Sequence, residues 1–232
     1  MKWLLWREYR LNRLILIAGG AFFVLPYAIV GFTVLTGSYQ MTYVTRAWLA
    51  STYAAQLLIA LLAGNAIAGE RADRSAEFIA YLPLSRRRIV ASKVLFALLV
   101  FTPVWCVTRV VIDNAYLPAP GYVSGSPAHV LSDLRPFLAN VVLLYGAGWL
   151  FTSRLSSATA ASVLGLVVVI LLHVGYVFVL IPQKNFFEEF IRLLNDQERF
   201  GDAVFWYTMI CISLAVISFS IGTWNYVGHR RS

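Results

Sequence analysis

The sequence is short of charge. Only 13% of its 232 residues are Asp, Glu, Lys or Arg, against about 25% in a typical soluble domain. The hydrophobic fraction is 59%, and the mean hydropathy is +0.72. Because so few charges cannot cover so much apolar surface, the composition excludes a soluble globular protein, a disordered chain and a nucleic-acid binder.

Cysteine and histidine are also scarce. The two cysteines, Cys106 and Cys211, both lie in long apolar runs. They therefore suit neither a disulfide framework nor a zinc site, and we expect small buried apolar residues. The sequence has no Gly-x-x-x-x-Gly-Lys-Ser/Thr motif, which excludes a P-loop for nucleotide. No Ser/His/Asp set for nucleophilic catalysis stands out either.

Six long apolar stretches are what the sequence does contain. A stretch of about 20 apolar residues crosses a bilayer as an α-helix, and these runs lack the alternation typical of barrel strands. We therefore predict an all-α polytopic membrane protein with a single transmembrane domain over 1–232. The expected spans cover about 14–36, 47–69, 94–116, 134–152, 158–181 and 203–227.

The distribution of basic residues predicts the orientation, because Lys and Arg concentrate on the cytoplasmic side of membrane proteins. With both termini inside, the inner segments hold 13 of the 19 basic residues but only four of the 11 acids. We expect a cell membrane, bacterial or archaeal, with both termini in the cytoplasm. The inner basic residues are Lys2, Arg7, Arg10, Arg13, Arg71, Arg74, Arg86, Arg87, Arg88, Lys93, Arg154, Arg230 and Arg231, and the inner acids are Glu8, Glu70, Asp73 and Glu77.

The inner segment 70–93, between spans two and three, is the most informative part of the chain. Residues 70–82 suit a short helix, on which Glu70 and Arg74 are i,i+4 partners and Phe78 belongs to one apolar ridge. An ordinary amphipathic loop lying on lipid would have the same pattern.

Three consecutive arginines, Arg86, Arg87 and Arg88, follow that short helix. Pro83 ends it, and Ser85 is placed to cap the next helix, which enters span three. Positive charge in a first helical turn opposes the helix dipole, so another group must offset it. Lipid headgroup phosphates and an acidic surface on a partner protein are equal alternatives.

The same segment is similar to the inner loop of ATP-binding-cassette (ABC) type 2 exporter permeases, whose layout of six spans with inner termini this chain also resembles. The residues that carry the likeness are Gly69-Glu70-Arg71, Ser75-Ala76-Glu77, Leu82-Pro83-Leu84-Ser85-Arg86, Ile89 and Ser92-Lys93.

In that family the loop forms a coupling helix that docks in a groove of the ATPase. The resemblance implies a separate cytoplasmic ATPase subunit in two copies, which binds ATP and Mg²⁺, and a second permease copy or a related permease. This chain would then hold no cofactor or metal and perform no catalysis. The residues implied to face the ATPase or to shape the turn back to the membrane are Glu70, Arg71, Arg74, Ser75, Glu77, Phe78, Pro83, Ser85 and Arg86.

Two other functions are alternatives. A non-transporting membrane scaffold or sensor subunit would have the same spans. An intramembrane protease is more remote: residues 188–192 are similar to the Glu-Glu-x-x-x-Arg motif of type II CAAX-prenyl-protease-like membrane proteins, but one intervening residue is missing. No span supplies a pair of histidines for a metal.

Two amphipathic segments lie outside the spans, one before the first span and one between the fifth and the sixth. Residues 1–13 mix Trp and Leu with Lys and Arg, which predicts an interfacial helix at the inner headgroup layer or a simple topology anchor. Residues 186–200 form one apolar stripe opposite a charged face, which predicts an outer amphipathic helix, either passive or gating.

Several polar groups lie at membrane depth. Arg109 and Asp113, four residues apart, predict either a self-satisfied ion pair or a polar element at the outer mouth. For His173 we expect a hydrogen bond in the packed interior rather than a ligand. Asn65 and Gln56 could bond across helices or line a pathway.

Small residues at four-residue spacing let helices approach closely within a membrane. In span two they are Ala60, Gly64 and Ala68, and the default expectation is packing within the chain. A second copy of the chain is the alternative partner for such a stripe.

Overall fold

The computed structural model describes residues 2–37, 41–72, 85–116, 135–181, 192–193 and 196–228. All regular secondary structure in these residues is helical. The helices are α1 (Lys2–Leu35), α2 (Met41–Ala72), α3 (Arg86–Tyr116), α4 (Arg135–Arg154), α5 (Ala158–Leu180) and α6 (Gln197–Gly228).

Each of the six helices is long and apolar enough to cross a membrane. They coincide with the six spans predicted from the sequence, which confirms the all-α class and a multi-pass membrane protein. The agreement has a simple cause. Backbone N–H and carbonyl groups in the hydrocarbon core of a membrane must bond to each other, and a helix satisfies them within one apolar segment.

The first helix differs from the expectation. Residues 1–13 were predicted to form a separate interfacial helix, but Lys2–Leu35 is one continuous helix. Glu8 and Asn12 within its first turns are buried, at 2% and 3% exposure. One side of this part of α1 therefore packs against the other helices.

Helices α2 and α4 form the centre of the bundle. In their most apolar windows 61% and 67% of the residues are buried, against 6% in α1 and 11% in both α3 and α5. α2 packs against α1, α3, α4 and α5, while α4 packs against α2, α5 and α6. The apolar outer surfaces of α1, α3 and α5 are therefore those that would meet lipid or another protein.

Small residues bring the central helices close together. A Cβ built on Gly64 of α2 would lie 2.7 Å from the carbonyl oxygen of Ala158 and 2.0 Å from Oγ of Ser162, both on α5. A Cβ on Gly148 of α4 would lie 2.6 Å from Cβ of Ala63. The prediction that the small residues of span two pack within the chain is confirmed for Gly64.

The hydroxyl of Thr152 joins α4 to α2. It donates to the carbonyl of Gly64 at 2.7 Å and accepts from the backbone N–H of Ala68 at 2.8 Å. In an α-helix the N–H of Ala68 and the carbonyl of Gly64 are the donor and acceptor of one i, i−4 hydrogen bond. The hydroxyl of Thr152 therefore bonds to both groups of that pair in α2. Insertion of a side chain into the ladder is a known cause of helix bending.

Candidate functional site

Four charged side chains, three of them buried and Arg7 partly buried, meet where the start of α1, the end of α2 and the start of α3 come together. The buried charge cluster consists of Arg7, Glu8, Glu70 and Lys93. Nζ of Lys93 lies 2.8 Å from Oε1 of Glu70 and 3.1 Å from Oε1 of Glu8. Nη2 of Arg7 contacts Glu8 at 2.6 Å and also bonds to Glu70. Each carboxylate thus has two cationic partners, and the cluster is balanced at two charges of each sign.

Burial makes this arrangement consequential. Glu8, Glu70 and Lys93 are only 2–3% exposed, and ions removed from water are tolerated only when they are paired. Removing one partner of a buried pair strands the other, which costs about 3–5 kcal/mol. Nε and Nη1 of Arg7 are buried without a hydrogen-bond partner among the described residues.

An asparagine pair continues the polar contact between α1 and α2. Asn12 donates to the carbonyl of Glu8 one turn earlier at 2.9 Å, and Nδ2 of Asn65 donates to Oδ1 of Asn12 at 2.8 Å. Gly69 leaves room for this, since a Cβ there would lie 2.2 Å from Oδ1 of Asn65. The structure therefore assigns Asn65 to a hydrogen bond across helices.

Two arginines beside the cluster bind the carboxyl ends of other helices. Arg71 donates to the carbonyls of Ser153 at 3.0 Å and Leu155 at 3.2 Å, at the end of α4. Arg86 donates to the carbonyl of Tyr226 at 2.6 Å, near the end of α6, and its guanidinium lies 5.7 Å from the centre of the Tyr226 ring. Terminal carbonyls lack helical partners and carry partial negative charge, so they suit a cation.

These contacts define one end of the bundle, which we call the charged end. It gathers the starts of α1, α3 and α5 and the ends of α2, α4 and α6. Arg86 opens α3 and would oppose its dipole, but it rests on the negative end of α6. The group that offsets the charge of Arg86 therefore belongs to the chain itself. From the sequence we had considered only lipid phosphates and an acidic partner protein.

The structure corrects the prediction for Glu70. That residue was expected to face a partner ATPase, but its carboxylate is buried against Arg7 and Lys93 and is not presented at the surface. Ser85 is exposed and its carbonyl accepts from the N–H of Arg88 at 3.0 Å, so α3 begins where the sequence placed its cap. The other predicted coupling residues, Arg74, Ser75, Glu77, Phe78 and Pro83, lie outside the described residues.

Sequence reasoning missed the cluster itself. Glu8 was read as one inner acid and Lys93 as part of a loop pattern, with no partner proposed for either. A usable signal was present, because Glu8 is a lone acid among the basic residues of 1–13 and Lys93 stands at the start of span three. Charges at the edge of apolar helices require partners.

At the opposite end of the bundle lies a cavity of about 450 Å³, which we call the outer cavity because it lies away from the charged end. It is half open and is lined mainly by residues of α2, α4, α5 and α6. On one wall Tyr207 donates to Oδ1 of Asn140 at 2.5 Å and lies 3.2 Å from Nδ1 of His173. The hydrogen bond expected for His173 is confirmed, but the residue is exposed and does not lie in the packed interior. Gln56 lines this cavity.

Two predictions at the cavity end fall largely outside the described residues. Arg109 and Asp113 both lie in α3, but the side chain of Asp113 is not described, so their ion pair stays a prediction. Most of the expected outer helix 186–200 is likewise not described. Its last residues open α6, where Oδ1 of Asp196 accepts from the N–H of Arg199 at 3.1 Å.

The comparisons with known proteins give no family. No protein-family model matches the chain, and no curated protein or solved structure gives a significant match. What the chain does must therefore be argued from its own residues and geometry.

Proposed function

We propose that this chain is the membrane-spanning permease subunit of an ABC transporter, an exporter, driven by ATP hydrolysis in a separate subunit. The observation that carries the proposal is the way the ends of segment 73–84 are fastened. Glu70 before it and Lys93 after it are joined to each other and to α1. Arg71 and Arg86 fasten the same two ends to α4 and α6.

This fastening gives a route for force. A push on the segment 73–84 would reach α2 and α3 directly and α1 through the buried charge cluster. Because separating these charges is costly, the three helix ends would move as one unit. A two-state change of the spans biased by nucleotide in the partner is the corresponding mechanism.

The ATPase contact is assigned to residues within and beside the segment. Arg74, Ser75, Glu77 and Phe78 carry it, Pro83 and Ser85 shape the return to the membrane, and Arg71 and Arg86 hold the helix ends in place. Glu70 supports the segment from inside and does not touch the partner. ATP and Mg²⁺ belong to two ATPase copies.

The remaining assembly follows from the same proposal. A second permease, identical or related, completes the transporter, and the exposed apolar faces of α1, α3 and α5 offer surface for it and for membrane lipid. The charged end faces the cytoplasm of a bacterial or archaeal cell, as the excess of basic residues on that side favours.

A non-transporting scaffold or sensor subunit is the second candidate. A balanced, buried charge cluster would also hold a static bundle in one shape. The two candidates differ in whether an ATPase binds the segment 73–84 and depends on it.

The test is to purify the tagged chain from its native membrane and to measure Mg²⁺-dependent ATP hydrolysis in the complex. Reversing Arg74→Glu together with Glu77→Arg should release the ATPase and leave membrane insertion intact. The matched control reverses two exposed charges at the other end, Glu198→Arg with Arg199→Glu, and should leave the complex unchanged. A complex without ATPase, or one unaffected by the first double variant, would contradict the proposal.

A further inference from the structure

An open groove runs between α3 and α6, starting at the charged end of the bundle. These two helices pack against each other only sparsely, and the space between them has a volume of about 360 Å³. On α3 its lining extends from Arg87 to Leu98, and on α6 it consists of Phe219, Thr223 and Val227. The groove is therefore a surface feature that faces whatever surrounds the bundle.

Arg87 places a positive charge at the mouth of this groove. Its neighbour Arg86 is bonded to the carbonyl of Tyr226 and so joins α3 to α6. Arg87, by contrast, is exposed and has no ion pair or side-chain hydrogen bond with any described residue. Glu8 and Glu70, the described acids of the charged end, are buried with other partners. The charge of Arg87 is therefore open to an anion from outside the described chain.

The rest of the groove suits a hydrocarbon chain. Apart from Arg87 and Thr223, its described lining is aliphatic or aromatic. From Arg87 to Leu98 a helix advances about 16 Å, which is close to half of the roughly 30 Å hydrocarbon core of a bilayer. Trp224, next to Thr223, is 79% exposed, and exposed tryptophan is typical of the headgroup level. The groove thus has the length of one leaflet, with its charge at the headgroup end.

We propose that this groove binds an anionic phospholipid, with the phosphate on Arg87 and one acyl chain along the apolar face between α3 and α6. A guanidinium matches the oxygens of a phosphate with two parallel hydrogen bonds. Its aliphatic stem lies along apolar surface while its head reaches the headgroup layer. Basic pockets between membrane helices favour anionic over neutral headgroups. Binding of this lipid needs no ATPase, so it stands or fails separately from the transport proposal.

A second copy of the chain fits the groove less well than a lipid does. The described side chains of the charged end that are both charged and exposed are all basic, Arg10, Arg13, Arg88 and Arg154 among them. Another copy with its charged end at the same level would bring like charges together, which is unfavourable. An anionic headgroup neutralises them instead.

The experiment uses the purified chain in phosphatidylcholine nanodiscs that contain a small fraction of phosphatidylglycerol with a diazirine on one acyl chain. After illumination, cross-linked peptides are mapped by mass spectrometry. We expect the labels to concentrate on residues 87–98 and 219–227. The same probe with a choline headgroup should label these residues about fivefold less. Both probes should label α5 equally, because α5 contains no Lys or Arg.

Variants separate the charge from the apolar surface. Arg87→Gln should lower labelling of the groove by the anionic probe about fivefold. Arg88→Gln is the matched control, because Arg88 is also exposed but does not line the groove. Ala91→Trp fills the apolar part of the groove without a change of charge, and should remove the labels from residues 219–227. If Arg87→Gln fails to fold, the comparison of the two headgroups on the unaltered chain decides.

Three results would overturn the proposal. The first is equal labelling of the groove by the two probes, and the second is an equal effect of Arg87→Gln and Arg88→Gln. The third is competition by water-soluble glycerol phosphate, which would identify a site for a free phosphate. Cross-linking of residues 87–98 to a protein in native membranes, in place of the lipid probe, would likewise assign the groove to a protein partner.

Discussion

Oε1 of Glu70 lies 2.8 Å from Nζ of Lys93, and this contact joins α2 to α3 on either side of the segment 73–84. Both side chains are buried, and both are also bonded to residues of α1. The connection between spans two and three is therefore held at its base by charges from three helices.

Neutralising one member of the buried charge cluster should destabilise the bundle. We expect Glu70→Gln or Lys93→Met to cost about 3–5 kcal/mol, because each leaves the buried cluster with one uncompensated charge. Unfolding by SDS in mixed micelles measures the change. The double variant Glu70→Gln with Lys93→Met should cost less than the sum of the two. Additive losses would mean that the pair does not act as a unit.

Gly64→Ala should weaken the packing of α2 on α5. The new methyl would lie 2.7 Å from the carbonyl oxygen of Ala158, and such overpacking costs about 1–3 kcal/mol. Gly175→Ala is the matched control, since nothing lies within 4 Å of a Cβ there. Comparison of the two free energies of unfolding tests the contact, and an equal effect of both substitutions would refute it.

Thr152→Val removes the hydroxyl that bridges Gly64 and Ala68 while keeping the shape of the side chain. Hydrogen bonds between membrane helices contribute about 0.6–1.7 kcal/mol, and we expect a loss in that range. Thr102→Val is the control, because that exposed hydroxyl donates to the carbonyl of Leu98 in its own helix. If both variants lower the free energy of unfolding equally, the hydroxyl of Thr152 does not stabilise the contact between α4 and α2.

Arg86→Gln should detach the start of α3 from the end of α6. Charge-assisted hydrogen bonds are about twice as strong as neutral ones, so the distance between these helix ends should widen and become more variable. Spin labels at Arg88 of α3 and at Trp224 of α6 report on this distance, and double electron–electron resonance measures it. Arg87→Gln, in an exposed position, should leave the distance unchanged.

The charged end should be accessible from the cytoplasm alone. With Cys106 and Cys211 replaced by alanine, Ser85→Cys should react with a membrane-impermeant maleimide only in inside-out vesicles. Arg199→Cys, at the other end of the bundle, should react only in right-side-out vesicles. The reverse labelling pattern would show that the charged end faces away from the cytoplasm and would contradict the ATPase proposal.

The six helices could be predicted because their cause is local. A run of apolar residues identifies a span without reference to the rest of the chain. Close packing at Gly64 was also predictable in kind, because small residues at four-residue spacing serve helix contacts in membranes. The identity of its neighbours on α5 was not, since it depends on how distant segments assemble.

The charged end was harder to predict for the same reason. On its own helix Glu70 is read as part of a solvated inner loop, with Arg74 as its natural partner. In the structure its partners lie at Arg7 and Lys93, the first of them 63 residues away in sequence. Arg71 and Arg86 pair with backbone carbonyls, which have no sequence signature.

The buried charge cluster also bears on how the protein is made. All four of its members lie within the first 93 residues, so their neutralisation needs nothing from α4, α5 or α6. Once the ribosome has released the beginning of the third crossing, the opening three crossings can close on each other as a finished subassembly. The later half of the chain would then insert against a surface that already exists.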